Sequence, residues 1–174
     1  MVDDNKPNKK ITFVGVNTKY QIKKVIGIQK TSPKIRATWD EYVVCDKPTQ
    51  LRIIADLSGA NIYSKEIVSK LNGYRNQDAL KKRYDADTFI TFGQAVELLV
   101  ECEMTCFYCK CYTPVLYKNV RDGNQWTLDR TNNDMGHSYG NVVISCLKCN
   151  LQRKRMSATA FAMSKQMVIT RVDF

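Results

Sequence analysis

The alternation of apolar and polar positions divides the chain into recognisable segments. Met1–Lys10 is polar and holds Pro7, so it reads as a loose leader. Ile11, Phe13, Val14 and Val16, then Tyr20, Ile22, Val25, Ile26 and Ile28, are rich in β-branched and aromatic residues and predict one or two strands. Trp39–Cys45 and Leu51–Leu57 are short apolar stretches, with Lys47-Pro48 marking a break between them. Ser64 stands as an N-cap before a short helix over 65–71 that Asn72-Gly73 closes, and a second helix is expected over Asp78–Tyr84. From Thr91 to Glu101 the pattern is more regular. Ala95, Leu98, Leu99 and Cys102 fall at helical spacing behind a capping threonine.

The rest of the chain has a different rhythm. Tyr112–Tyr117, a polar turn at Arg121-Asp122-Gly123-Asn124, Trp126–Leu128, a polar loop over Thr131–Gly140 and Val142-Val143-Ile144 follow in order. They predict a two-stranded hairpin with a long connection, then a helix beginning near Cys149 whose first turns carry Arg153, Lys154 and Arg155. The expected organisation is a mixed α/β N-terminal region over residues 1–88, of accessory role, and an α+β region over residues 89–174. No internal repeat or low-complexity segment is visible.

Composition narrows the function classes. With 44% hydrophobic and 25% charged residues, the 174-residue chain falls in the range of folded proteins. A formal net charge of +10, spread through both halves, favours a polyanionic partner, nucleic acid first; a merely basic soluble protein is the bland alternative. No apolar run approaches the roughly 20 residues that span a bilayer, and the N-terminus has no hydrophobic signal core. An intracellular protein without a membrane partner is expected. In that setting the seven cysteines are read as thiols or metal ligands rather than a disulfide framework.

Four of them form two C-x-x-C pairs, Cys106/Cys109 and Cys146/Cys149, with 36 residues between. Each pair places two thiolates on one tight turn, and together they complete the tetrahedral sulfur shell that zinc prefers. Four protein ligands leave no open position, so such an ion staples the fold and activates nothing. An iron–sulfur cluster accepts the same ligands. A thioredoxin-like pair needs a βαβ context that the sequence lacks. Cys102 and Cys111 lie beside the first pair as competing thiols, and Cys45 reads as a small buried apolar residue.

Between and just after the pairs stands a second constellation: Trp126-Thr-Leu-Asp129-Arg130, a glycine-bearing loop with His137, Asn141, a short β run into Cys146, and Asn150 directly after Cys149. Here the sequence resembles the HNH family, the zinc-stapled ββα-metal endonucleases in which two C-x-x-C pairs bracket the catalytic hairpin. The resemblance covers about half the chain, from Phe89 or Cys106 to about Lys154. It implies a ββα-metal hairpin–helix module with a four-cysteine zinc staple. It also implies a catalytic magnesium or manganese ion held by Asp129 and Asn150, while Asn141 ties the loop by side-chain hydrogen bonds. The implied reaction is hydrolysis of DNA phosphodiesters, the metal stabilising the leaving 3′ oxygen and a base activating water, to leave a 5′-phosphate.

One position departs from the family pattern. Where the family has its general-base histidine, this chain has Arg130, which stays protonated at neutral pH and cannot take a proton from water. Its planar fork suits a phosphate clamp, with a structural salt bridge as the alternative role. His137, the one histidine in the chain, is then the conventional base candidate. A hydrogen-bonded structural histidine and a metal-bound hydroxide acting without a protein base remain open beside it. The Gln152–Lys154 run is expected along a phosphate backbone, with Arg153 and Lys154 as contacts, a solvated helix face being the alternative. Two functional readings follow. The chain is a metal-dependent HNH-type endonuclease acting on DNA, or a module of the same ancestry that binds or packages nucleic acid without cutting.

Overall fold

A computed structural model describes residues 34–36, 46–57 and 59–167, all within the compact unit Lys34–Phe174. The leader, the strands expected within Ile11–Ile28 and the Trp39–Cys45 element, with Cys45, lie outside the described residues. Among those described, five helices accompany one two-stranded antiparallel sheet, a mixed α/β arrangement. None of these helices is long and apolar enough to cross a membrane.

Helix α1 covers Lys47–Ala55, and the Asp46 carboxylate caps it by accepting from the Thr49 N–H at 2.9 Å. Lys47-Pro48 therefore opens the helix that holds most of the Leu51–Leu57 stretch. In the first turn of a helix the N–H that proline lacks has no partner to lose. Helix α2, Ile62–Leu80, corrects a second expectation, because it runs unbroken through Asn72-Gly73. Its N-cap is Asn61, and Ser64 closes a capping box from the third position. A mid-helix glycine costs about 1 kcal/mol. Burial of Tyr63, Ile67, Leu71 and Asp78 along one stripe of the same helix outweighs it.

Helix α3, Phe92–Glu101, begins behind Thr91, which forms a capping box with Gln94, and buries Ala95 and Leu99. Tyr112–Tyr117 adopts no strand; a single bridge pairs Thr105 with Tyr112. Strands β1, Trp126–Arg130, and β2, Val142–Cys146, pair antiparallel with Trp126 opposite Cys146 and Asp129 opposite Val143. Helix α4, Leu147–Arg153, follows without a linker. It starts before Cys149 and ends at Arg153, so the three basic residues cluster at its end and not in its first turns. Lys154 sits beyond it at φ 53°, turning the chain into α5, Ala158–Gln166, which the sequence pattern does not announce.

A single core takes Ile54, Ile67 and Leu71 from before residue 88 and Leu99, Met104, Trp126 and Leu128 from after it. Helix α2, N-terminal to that position, thus packs directly on the hairpin, where its Tyr74 hydroxyl accepts from the Leu128 N–H. A smaller core gathers Cys106, Tyr108, Cys146, Cys149 and Phe161.

Candidate nucleic-acid interface and metal centre

The two C-x-x-C turns meet at the start of α4. The ligating atoms of Cys106, Cys109, Cys146 and Cys149 all lie within 4.8 Å of one another, and the sulfurs of Cys109 and Cys146 are 3.8 Å apart. Tetrahedral zinc with Zn–S bonds of about 2.3 Å separates its sulfurs by roughly 3.8 Å, so the donor set fits a structural ion of that kind. Cys146 doubles as N-cap of α4, its sulfur accepting from the Cys149 N–H. Neighbouring thiols push Cys106 down to about 4. Cys111 stands 3.3 Å from the Cys109 sulfur, outside the set of four, while burial raises Cys102 above the ordinary thiol range.

Tyr108, inside the first turn, links this centre to the hairpin. Its ring packs edge-on against Phe161, and its hydroxyl donates to Asp129 Oδ2 at 2.7 Å. The Asp129 carboxylate also receives two parallel bonds from Arg153, Nε to Oδ2 at 2.6 Å and Nη2 to Oδ1 at 2.7 Å. Nη1 donates to the Met156 carbonyl, and Nη2 also reaches the Arg130 carbonyl and the Asn133 side chain. The guanidinium is satisfied and buried. Arg153 is accordingly not a phosphate contact, because its side chain is 1% exposed and committed to Asp129. The same pair bears on the catalytic ion. A divalent cation needs free carboxylate oxygens, yet those of Asp129 face a guanidinium that repels it and a phenol that occupies Oδ2. In this side-chain arrangement magnesium or manganese does not fit at Asp129. Asn150 stands nearby with its amide donating to Thr127 Oγ1 and the Leu128 carbonyl, its own oxygen having no hydrogen bond among the described residues.

The loop between the strands is tied by Asn141. Its Oδ1 accepts from Thr131 Oγ1 and the Asn132 N–H, and its Nδ2 donates to the carbonyls of Asn132 and Gly136. The loop thereby delivers His137 against the C-terminal end of α2. There Asp78, fully buried, accepts the backbone N–H of His137 at 2.6 Å and lies 2.9 Å from its Nδ1. Tyr74, one turn earlier, stacks on the imidazole with centroids 4.5 Å apart. Burial pulls the imidazole below its usual 6.5, against the opposing effect of Asp78, so it is neutral at pH 7.

Arg130 donates to the Met135 carbonyl at 2.9 Å, with Asp78 Oδ1 3.8 Å from the same nitrogen. The structural ion pair is thus present, and the guanidinium, braced by the loop, lines an open cleft. That cleft, about 580 Å³, lies between α2 and the hairpin–helix unit. Lys81, Arg130, His137, Asn150 and Lys154 are on its walls, and among the described residues Asp129 is the one acidic side chain lining it. With Asp129 neutralised by Arg153, the cleft is cationic. Lys70 lies deeper, donating to Gln125 Oε1 at 3.0 Å and to the Trp126 carbonyl; desolvation lowers it to about 7.

Sequence reading does not single out Asp78, Tyr74, Lys70, Lys81 or Tyr108. The four residues of the 70–81 segment share one side of α2 and its C-cap at helical spacing. The expected stop at Asn72-Gly73 hides that periodicity. No protein-family model, curated protein or solved structure matches this chain.

Proposed function

We propose that this chain binds nucleic acid in the cleft between α2 and the hairpin–helix unit and hydrolyses its phosphodiester backbone, as an HNH-type endonuclease with a zinc staple. The observation that carries the reading is the convergence in one cationic cleft of His137 with Arg130, Lys154 and Asn150. A phosphate drawn in by Lys81 and Lys154 meets the Arg130 fork, which suits its paired oxygens. His137 then faces water at the phosphorus as a base in its active protonation state. Zinc at Cys106, Cys109, Cys146 and Cys149 holds β2, the start of α4 and the Tyr108 turn in register. DNA is the substrate that the HNH resemblance implies. The reading assigns no divalent ion to Asp129, whose place is taken by the Arg153 pair.

One specific observation favours a second reading, a module that binds without cutting. The Asp129–Arg153 pair occupies the position at which the HNH resemblance would put the catalytic metal. Incubation of the full chain with labelled DNA in the presence of magnesium or manganese separates the two. Strand scission that disappears in His137→Ala supports the nuclease; binding with the strands left intact supports the module.

A further inference from the structure

His137 is held as a catalytic imidazole is held, by a carboxylate 59 residues away, outside the stretch that resembles the HNH family. We infer that Asp78 and His137 form a base dyad, in which Asp78 is the positioning residue that keeps the proton on Nδ1 and turns a bare Nε2 to the cleft. The inference deepens the proposed nuclease activity and rests on it.

Three observations carry it. First, both oxygens of Asp78 lie within 3.0 Å of Nδ1. A carboxylate only accepts, so Nδ1 is the protonated nitrogen and Nε2 keeps its lone pair. Second, Nε2 has no hydrogen-bond partner among the described residues, and the one sealed, unpartnered side-chain polar atom among them is Trp126 Nε1. His137 lines the wall of the cleft with its side chain 4% exposed, and Nε2 is the ring nitrogen that Asp78 does not hold. Third, the backbone is shaped for this contact. A Cβ on Gly136 would come within 2.4 Å of the Arg83 carbonyl and 3.1 Å of Asp78 Oδ2, so only glycine lets the loop approach α2 this closely.

The charge around the ring suits a base. Asp78 and Tyr74 come from α2, Lys81 from just beyond it and Arg130 from β1. The cations and burial keep the imidazole neutral, and Asp78 stabilises the imidazolium once formed. In the step, the Nε2 lone pair takes a proton from water as the water oxygen bonds to phosphorus. The bond from phosphorus to the leaving sugar oxygen breaks, its electron pair staying on that oxygen, which takes a proton from solvent. His137 then returns its proton to solvent.

With one histidine in the chain, nitrogen NMR of the histidine-labelled full-length protein reports this site alone. At pH 7.5 the wild type should show a protonated Nδ1 and an unprotonated Nε2. In Asp78→Asn the histidine should titrate at lower pH, because the carboxylate that favours its charged form is gone. Turnover should drop on the order of 100-fold or more with KM little changed, and the acid limb of the rate–pH profile should move down with the histidine. A wild type carrying its proton on Nε2 overturns the dyad, and this measurement needs no variant to fold. So does an Asp78→Asn protein that cleaves like wild type. A wild type that leaves DNA intact overturns the proposed function instead, and the dyad as a catalytic device with it.

Discussion

Arg153 grips Asp129 through two parallel hydrogen bonds of 2.6 and 2.7 Å, with neither side chain more than 5% exposed. The pair joins the end of α4 to the end of β1, and Tyr108 ties it to the first cysteine turn. Losing one partner leaves a buried charge without compensation, which costs about 3–5 kcal/mol. Asp129→Ala and Arg153→Ala should each lower stability by that amount in denaturant unfolding, and the double variant should be less destabilised than the two losses added. Additive losses would mean that the two residues act independently.

The cysteine cluster predicts about one zinc per chain. Cys106→Ser or Cys149→Ser should release the metal and loosen the hairpin, α4 and α5 together, because both residues belong to the small core that Tyr108 and Phe161 complete. Elemental analysis checks the content. Iron with sulfide, or a folded chain without metal, would contradict it.

Gly136→Ala should push the His137 loop off α2. The clash at 2.4 Å involves the Arg83 backbone, which cannot rotate away as a side chain would. A loss of about 1–3 kcal/mol is expected, together with a shift in the His137 resonances. An alanine variant as stable as wild type, with unchanged resonances, would show that the approach is not tight.

Binding should weaken steeply with salt. Lys81 and Lys154 are exposed cleft residues, so replacing both with glutamine should reduce the slope of log K against log salt by roughly 1–2. Arg153→Gln should reduce affinity through instability rather than through that slope. An unchanged slope in the lysine variant would place the nucleic acid elsewhere.

Much of this site was legible in the sequence, and what escaped has a physical cause. The C-x-x-C spacing and the alternation in Trp126–Leu128 and Val142–Ile144 gave the cysteine cluster and the hairpin, because both are local signals. Thr91 announced α3 through its capping chemistry. Asn72-Gly73 misled, since tertiary burial of the α2 stripe overrides a weak local stop. In sequence Arg153 looks like a surface cation because its partner Asp129 lies 24 residues away across the hairpin. Asp78 is 59 residues from His137. Nothing local links them, and only the packing of α2 on the loop does.

The central claim is that the cleft cuts the strand it binds, with His137 as the base. Its most direct test is the rate of plasmid or branched DNA cleavage by the full chain and by His137→Ala, in magnesium or manganese buffer across a range of pH from acid to neutral. The account predicts wild-type scission that slows as the pH falls through the lowered histidine pKa, because protonation removes the base. It predicts a rate roughly 100- to 10,000-fold lower in His137→Ala, with binding retained. A wild type that binds DNA and leaves every strand intact, or a His137→Ala protein that cuts as fast as wild type, would contradict it.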